Sequence, residues 1–517
     1  MAESSGEAKV YLRLVIDEEK NKVVLAEASK DFVDVLFSFL SLPMGTIARL
    51  FKKHKKNVGC FNNIHTSVVD MGIDHFQSEA CKQMLLYPRS VRDVHFQRLK
   101  VNINPTEGDK YFKCPSFSHC RLCSNFSTTR CRCGKLMKDA ILEPRFTVAD
   151  SMQNGVFVRG SDSTTFIITD DLEVAVKSTA LVLERLKSFG CADVSKLVER
   201  VVGIGYKEVL ALLQCVFYSN APLTDTFLNK GSPNGVTKSY ETLRPLFMEK
   251  KDEAEPEMVL TLNAVVRKKD MKILFVDCGE DFVELLLSFL AVPLESVWEI
   301  SGNSITLGCF ANLCRSFKGL RVDKGTQAAP AEASKVGVLP CFYNFKVQLP
   351  GIITLQPPVY YRYIQYFSLS KRVPIHALTR DSNKIPNFRN DKLVPVTLVD
   401  PKSHGNDQLT LCSGFLKKLD TKFTVSDDLV ITPMSSCSTV CLLKKLQTNA
   451  EDVFVQEISI SKAEAVDLLR ASLVTSCALG TALCDFIAKK PKKEPICETQ
   501  LRRSQRKKHK VNGCQSS

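Results

Sequence analysis

No apolar run in this chain is long enough to cross a bilayer. The longest, Phe282 to Leu294, contains Glu284 and Pro293 and falls short of the ~18–20 residues that a spanning helix needs. There is no Gly-x-x-x-x-Gly-Lys-Ser/Thr phosphate loop, no His-Glu-x-x-His pair and no Gly-x-Ser-x-Gly elbow. Their absence removes the familiar local devices for cradling phosphates, hydrolysing with zinc and activating a serine. An enzyme whose residues converge from distant segments stays open. Met1 to Glu7 lacks the basic-then-apolar order of a secretory signal, so the expectation is a soluble protein of the cytoplasm, the nucleus or both. Most of its twenty cysteines are then expected to be reduced, and clustered ones point to metal before disulfide. With 44% hydrophobic and 24% charged residues, the chain reads as globular.

What the sequence does have is a repeat. Asp31-Phe32-Val33-Asp34-Val35-Leu36-Phe37-Ser38-Phe39-Leu40 returns as Asp281-Phe282-Val283-Glu284-Leu285-Leu286-Leu287-Ser288-Phe289-Leu290, and Pro43 returns in frame as Pro293. Gly59-Cys60-Phe61 returns as Gly308-Cys309-Phe310, and Asp170-Asp171-Leu172 as Asp427-Asp428-Leu429. A spacing this long marks a tandem domain duplication rather than a solenoid. The length of 517 residues allows two cores of about 250 each. Features kept by both copies belong to the fold, and features of one copy are candidates for function.

Each copy opens with two β-rich runs around a charged turn, Val10 to Ile16 with Val23 to Ala26 and Met258 to Val266 with Lys272 to Val276. This pattern predicts a β-hairpin. Phe32, Val33, Leu36, Phe37, Phe39 and Leu40 then give a wide helical stripe. Pro43 and Pro293 interrupt it and open a second helix. Later in each copy come a strand leading into Asp-Asp-Leu, a helix over Lys177 to Phe189 or Met434 to Leu446, and a strand over Leu197 to Val202 or Val453 to Ile460. A last helix follows, begun in copy two by the capping box Ser461-Lys462-Ala463-Glu464. The fold class is α+β, with two homologous tandem domains that each start from a hairpin. The domains run over 1–248, with a cysteine-rich insertion at about 112–137, and 258–487. A charged linker, 249–257, joins them, and a basic tail, 488–517, follows.

These motifs, together with Cys131-Arg132-Cys133-Gly134-Lys135-Leu136-Met137 and Ile168-Thr169-Asp170-Asp171-Leu172-Glu173-Val174, resemble the plant family catalogued as domain of unknown function 674. The similarity spans both copies up to about Ile487. It implies a plant protein and brings no catalytic residues with it. Copy two departs from the pattern between about Pro350 and Gln408, where the cysteine-rich segment is missing.

The sharpest local constellation is Cys120-x2-Cys123-x7-Cys131-x-Cys133, with Cys114 and His119 as spare ligands. Four thiolates within about 14 residues can wrap one Zn²⁺ and order a loop too polar to fold alone. The alternative is a reduced loop whose cysteines act as small apolar residues. Copy two has no cysteine between Cys341 and Cys412, so a metal cannot be essential to the shared fold.

Gly203-Ile204-Gly205-Tyr206-Lys207-Glu208 has part of a dinucleotide fingerprint, but Glu208 takes the place of the third glycine and would repel pyrophosphate. It reads as a turn and helix cap. The paired carboxylates Asp170-Asp171 and Asp427-Asp428 lack a recurring His, Ser or Cys nearby, and their setting fits turn and cap chemistry. No catalytic or cofactor-binding residue is assigned.

Two basic segments complete the inventory. Lys52, Lys53, Lys55 and Lys56 face a neutral counterpart, Ile300 to Ile305, and could hold phosphate or an acidic partner as well as form a solvated loop. From Ala488 onward, ten Lys or Arg against Glu494 and Glu498 supply +8 of the formal +14. Arg502, Arg503, Arg506, Lys507, Lys508 and Lys510 read as a solvated tail, an import signal, or a nucleic-acid or membrane contact. The leading reading is a non-enzymatic interaction or scaffold protein with protein partners and a zinc knuckle in copy one. The alternatives are nucleic-acid binding through the tail, the Lys52–Lys56 loop and the knuckle, and an enzyme without a local motif.

Overall fold

The computed structural model describes residues 8–229 and 259–488, apart from 91, 93–95, 97, 105–110, 118–119, 142–155, 159–162, 191–192, 304, 306, 321–335, 339–348, 350–351, 355–359, 367–373, 380–393 and 403–413. The charged linker, the basic tail beyond Ala488 and His119 lie outside the described residues.

The first half begins with the expected hairpin, β1 (Val10–Asp17) and β2 (Lys22–Ser29). Leu12, Leu14 and Ile16 alternate inward while Tyr11 stays 66% exposed, the period-2 signature of a sheet with one wet face. Helix α1 (Lys30–Ser38) and a 3₁₀ turn (Phe39–Ser41) bury Phe32, Phe37 and Phe39 completely, each worth about 2–3 kcal/mol of hydrophobic transfer. Next come α2 (Met44–Lys53), α3 (Phe61–Asp70), α4 (Glu79–Leu86) and three short strands, β3 (Tyr111–Lys113), β4 (Leu122–Ser124) and β5 (Asp139–Ile141). The half closes with β6 (Thr165–Thr169), β7 (Val174–Val176), α5 (Thr179–Ser188), β8 (Leu197–Ile204), α6 (Tyr206–Tyr218) and α7 (Pro222–Phe227).

The second half repeats the plan. It comprises β9 (Leu260–Arg267), β10 (Lys272–Cys278), α8 (Glu280–Ser288), α9 (Leu294–Ile300) and α10 (Phe310–Leu320), then β11 (Val336–Val338), β12 (Ile352–Thr354), β13 (Tyr360–Tyr366), β14 (Pro374–Thr379) and β15 (Val394–Leu398). It ends with β16 (Phe423–Ser426), β17 (Ile431–Pro433), α11 (Ser436–Lys445), β18 (Val453–Ile460), α12 (Lys462–Val474), α13 (Ala478–Ala482) and α14 (Cys484–Ala488). The two five-stranded antiparallel sheets have the same order, β7-β6-β2-β1-β8 and β17-β16-β10-β9-β18. Strands mixed with helices in this way make the fold α+β.

The expectation of two separate cores is corrected by the packing. One contiguous apolar core draws residues from both halves, because each half lays a helix on the other's sheet. At the start of α3, Cys60 N donates to Ser472 O at 2.7 Å. Further along it, Asn63 Nδ2 donates to Asp428 O at 2.7 Å, and Ser67 Oγ accepts from Ile431 N at 2.9 Å. The second half returns the arrangement through Cys309 N to Val216 O at 3.0 Å, Asn312 Nδ2 to Asp171 O at 2.9 Å and Val174 N to Ser316 Oγ at 2.9 Å. At the centre Pro43 and Pro293 face one another in an antiparallel bridge. Met44 N donates to Val292 O at 2.9 Å and Leu294 N to Leu42 O at 3.1 Å.

A third sheet is composite. Its order, β14-β13-β15-β4-β3-β5, joins three strands from each half through a parallel pairing of β4 with β15. The segment of the second half that departs from the repeat thus supplies β13 to β15, and the cysteine-rich segment is built onto them.

Candidate metal centre

Strand alternation sorts the cysteines of this sheet. On one face Tyr111 and Cys123 join Phe117, Ile141, Tyr360, Leu378 and Val396 in an apolar cluster. On the other, Phe112, Cys114, Cys120 and Leu122 gather with Cys131, Met137 and Val399. Positions two apart share a face. Cys114 therefore follows Phe112, Cys120 precedes Leu122 by two, and Cys123 points away.

The sulfurs of Cys114, Cys120, Cys131 and Cys133 all lie within 4.8 Å of one another, and those of Cys114 and Cys133 are 3.4 Å apart. A tetrahedral thiolate site with ~2.3 Å metal–sulfur bonds has sulfur–sulfur edges of about 3.8 Å, so small side-chain adjustments would close the four around one ion. Among the described residues no other three His, Cys, Asp or Glu side chains gather in this way. The cluster could hold a metal ion. The ligand set expected from spacing is corrected at one position: Cys123 belongs to the opposite face, and Cys114 takes its place as a principal member of the cluster. The paired pattern Phe112-x-Cys114 with Cys120-x-Leu122 was the available signal for this exchange.

The backbone supports thiolates here. Ser116 N donates to Cys114 Sγ at 3.4 Å, two residues on from the sulfur. Gly134, at φ +81°, turns the chain so that Gly134 N reaches Cys131 O at 2.8 Å and Cys131 N reaches Lys135 O at 2.8 Å. The Lys135 N–H, followed by the Cys114 thiol, draws the exposed Cys133 thiol down to about 7, whereas burial first pushes Cys114, Cys120 and Cys131 up. N–H donors to sulfur are the outer-shell groups that orient and tune thiolate ligands.

The other candidates resolve into structure. Asp170 accepts Thr224 N at 2.9 Å and Thr224 Oγ1 at 2.7 Å, so it caps α7. Asp427 accepts Gly480 N at 2.8 Å in the matching position and pairs with Lys272 at 3.3 Å. Asp171 and Asp428 close their turns on Thr169 and Ser426 and present backbone carbonyls to Asn312 and Asn63. Leu172 and Leu429, at φ +64° and +62°, hold both turns in the left-handed region. Gly205 starts a helix in which Glu208 accepts the Gly205 N–H at 2.9 Å, the cap expected from the sequence. Lys52, Lys53, Lys55 and Lys56 lie far along the chain from the cysteines, at the end of α2.

These features define an α+β protein whose halves share one core and build between them a sheet bearing a four-thiol cluster. Residues 6–463 match the family described as protein of unknown function (DUF674), and the chain belongs to that family. No curated protein and no solved structure matches it. Among the described residues no helix is long and apolar enough to cross a membrane.

Proposed function

We propose that this protein is a non-enzymatic binding scaffold in which Cys114, Cys120, Cys131 and Cys133 hold one structural Zn²⁺. The ion would stiffen the composite sheet as a recognition surface for a protein partner. The observation that carries this reading is the seat of the cluster. Val399 of the second half packs into it, Thr397 N donates to Arg121 O at 3.0 Å and Val399 N to Cys123 O at 2.8 Å. A metal closing this hairpin would fix the edge along which the two halves meet. Four soft thiolates select zinc over oxygen-loving cations. Further support comes from the carboxylates repeated in both halves, which are engaged in caps and turns instead of converging on a cleft.

Elemental analysis of the full chain, purified folded and reduced, tests the metal. About one Zn per chain is expected, and less than about 0.2 rejects the site, because a structural ion is near stoichiometric. The full chain is required, since the halves share a core. The scaffold reading itself fails if the chain turns over a small molecule and single polar substitutions abolish that turnover.

A further inference from the structure

The basic segment after α2 is tied down from beneath. Asn62, 5% exposed on α3, donates to Ala48 O at 3.0 Å and Lys56 O at 3.4 Å, and accepts Val58 N at 2.7 Å. Lys55 sits in the left-handed region at φ +54°, a conformation that costs a non-glycine residue roughly 1–2 kcal/mol. The loop is therefore held in one shape by a buried side chain.

Arg49, Lys52, Lys53, Lys55 and Lys56 place five positive charges within eight residues, and none pairs with a carboxylate among the described residues. Arg49 gives one nitrogen to Asn104 Oδ1 at 2.7 Å, and its buried Nε makes no hydrogen bond. Lys52 Nζ donates to the Thr66 hydroxyl at 3.1 Å. Beside them His65 is 5% exposed, and neither ring nitrogen makes a hydrogen bond; the Leu86 backbone is close but outside bonding geometry. Burial holds its pKa below the usual value against the nearby Leu86 backbone, which raises it, and the charges of Lys52 and Arg49 add to the lowering, leaving a neutral ring at pH 7.

Two ordinary explanations fall short. A helix carboxy terminus favours nearby cations by about 0.3–1 kcal/mol each, which accounts for Lys52 and Lys53 in the last turn of α2 and for Lys55 and Lys56 just beyond it, but not for Arg49 or for the bond-free ring of His65. Nor does the fold require the arrangement. In the second half Glu299 stands where Arg49 does and pairs with Lys318 at 2.8 Å, while Gly302, Ala311 and Cys314 replace Lys52, Asn62 and His65. The loop-holding amide, the uncompensated cations and the bond-free imidazole occur together in one half only.

From this juxtaposition we infer that the first half carries an anion site between α2 and α3, formed by Arg49, Lys52 and His65 and suited to a phosphate dianion. Lys53, Lys55 and Lys56 raise the local potential around it. Arginine and lysine supply charge-assisted donors to phosphate oxygens, and a neutral imidazole adds one N–H. Charges gathered at one helix corner fit a compact dianion; an extended nucleic-acid backbone is tracked by a groove with stacking rings. The ligand is free phosphate or the terminal phosphate of a small molecule.

Titrating the full-length protein with inorganic phosphate at constant ionic strength, read by ³¹P line width and by thermal shift, tests the site. Saturable binding is expected, weakened about tenfold or more by Lys52→Gln and by Arg49→Gln, since losing a charged hydrogen-bond partner costs about 1.5–3 kcal/mol. Lys444→Gln, a remote exposed lysine, should leave the affinity unchanged. Competition by a nucleoside monophosphate but not by the nucleoside identifies a terminal phosphate as ligand; competition by neither leaves the free ion. Because Lys52 is exposed, its variant should fold even if the Arg49 variant does not. Unchanged phosphate affinity in Lys52→Gln overturns the proposal, as does tight, steeply salt-dependent binding of a single strand lacking terminal phosphate.

Discussion

A methyl group on Gly59 would stand 2.1 Å from the carbonyl oxygen of Ser472. The mirror contact, Gly308 against Val216 O, would be 2.3 Å. Both glycines have positive φ, +48° and +51°, so they join backbone freedom to a close backbone approach between the halves.

Gly59→Ala and Gly308→Ala are each expected to cost about 3 kcal/mol or more, since neither the opposing backbone nor the left-handed conformation can give way. Gly190→Ala separates the two causes: its φ is +72° with open space around it, so only about 1–2 kcal/mol of conformational strain should appear. Urea unfolding of the full-length variants measures all three.

Cutting the chain between residues 249 and 257, through an introduced protease site, should leave the halves together. They share a core and exchange helices. Co-elution on size exclusion and one unfolding transition are expected; two separating fragments would contradict the shared core.

Cys114→Ser and Cys133→Ser should each bring bound zinc below about 0.2 per chain. Cys123→Ser should keep the ion but lose about 1–2 kcal/mol of stability, because a buried hydroxyl replaces a thiol in an apolar cluster. Retention of zinc in Cys114→Ser together with loss in Cys123→Ser would restore the set expected from spacing alone.

Asp34 is 3% exposed and accepts the backbone N–H groups of Val156, Phe157 and Val158 at 2.6, 2.7 and 3.1 Å. Burial raises its pKa above the ordinary aspartate value of 3.8, against the opposing pull of those three donors. A carboxyl raised in the folded state binds its proton there first. Its contribution to stability is therefore fully present below pH 3.8 and is lost as pH rises through the folded value. Relative to Asp34→Asn, the wild-type chain should gain stability as pH falls through the folded value towards 3.8. Denaturant midpoints across that range measure the difference, and a constant gap would exclude the linkage.

Much of each half was legible locally. The hairpin, the α1 stripe, the Pro43 break and the Ser461 capping box all appear where periodicity and cap chemistry place them, because each depends on neighbours within a few residues. Gly59-Cys60-Phe61 was visible as a repeated motif, but its contact with Ser472 was not, since no local period links sites so far apart. Cys114 was misranked for a related reason. Counting ligand spacing ignores which face of a strand a residue occupies, and the strands that define that face come partly from the other half.

The exchanged helices also set a timetable. Cys60 Sγ reaches Thr475 O at 3.2 Å across a separation of 415 residues. At a translation rate of about 5–20 residues per second, roughly 20–80 s pass between the synthesis of Cys60 and that of its acceptor. α3 can pack on α2 and α4 of its own half at once, but throughout that interval the side that meets β17 and Ser472 has no seat, so that part of a nascent first half must wait, shielded or in transient contacts, until the end of the second half emerges.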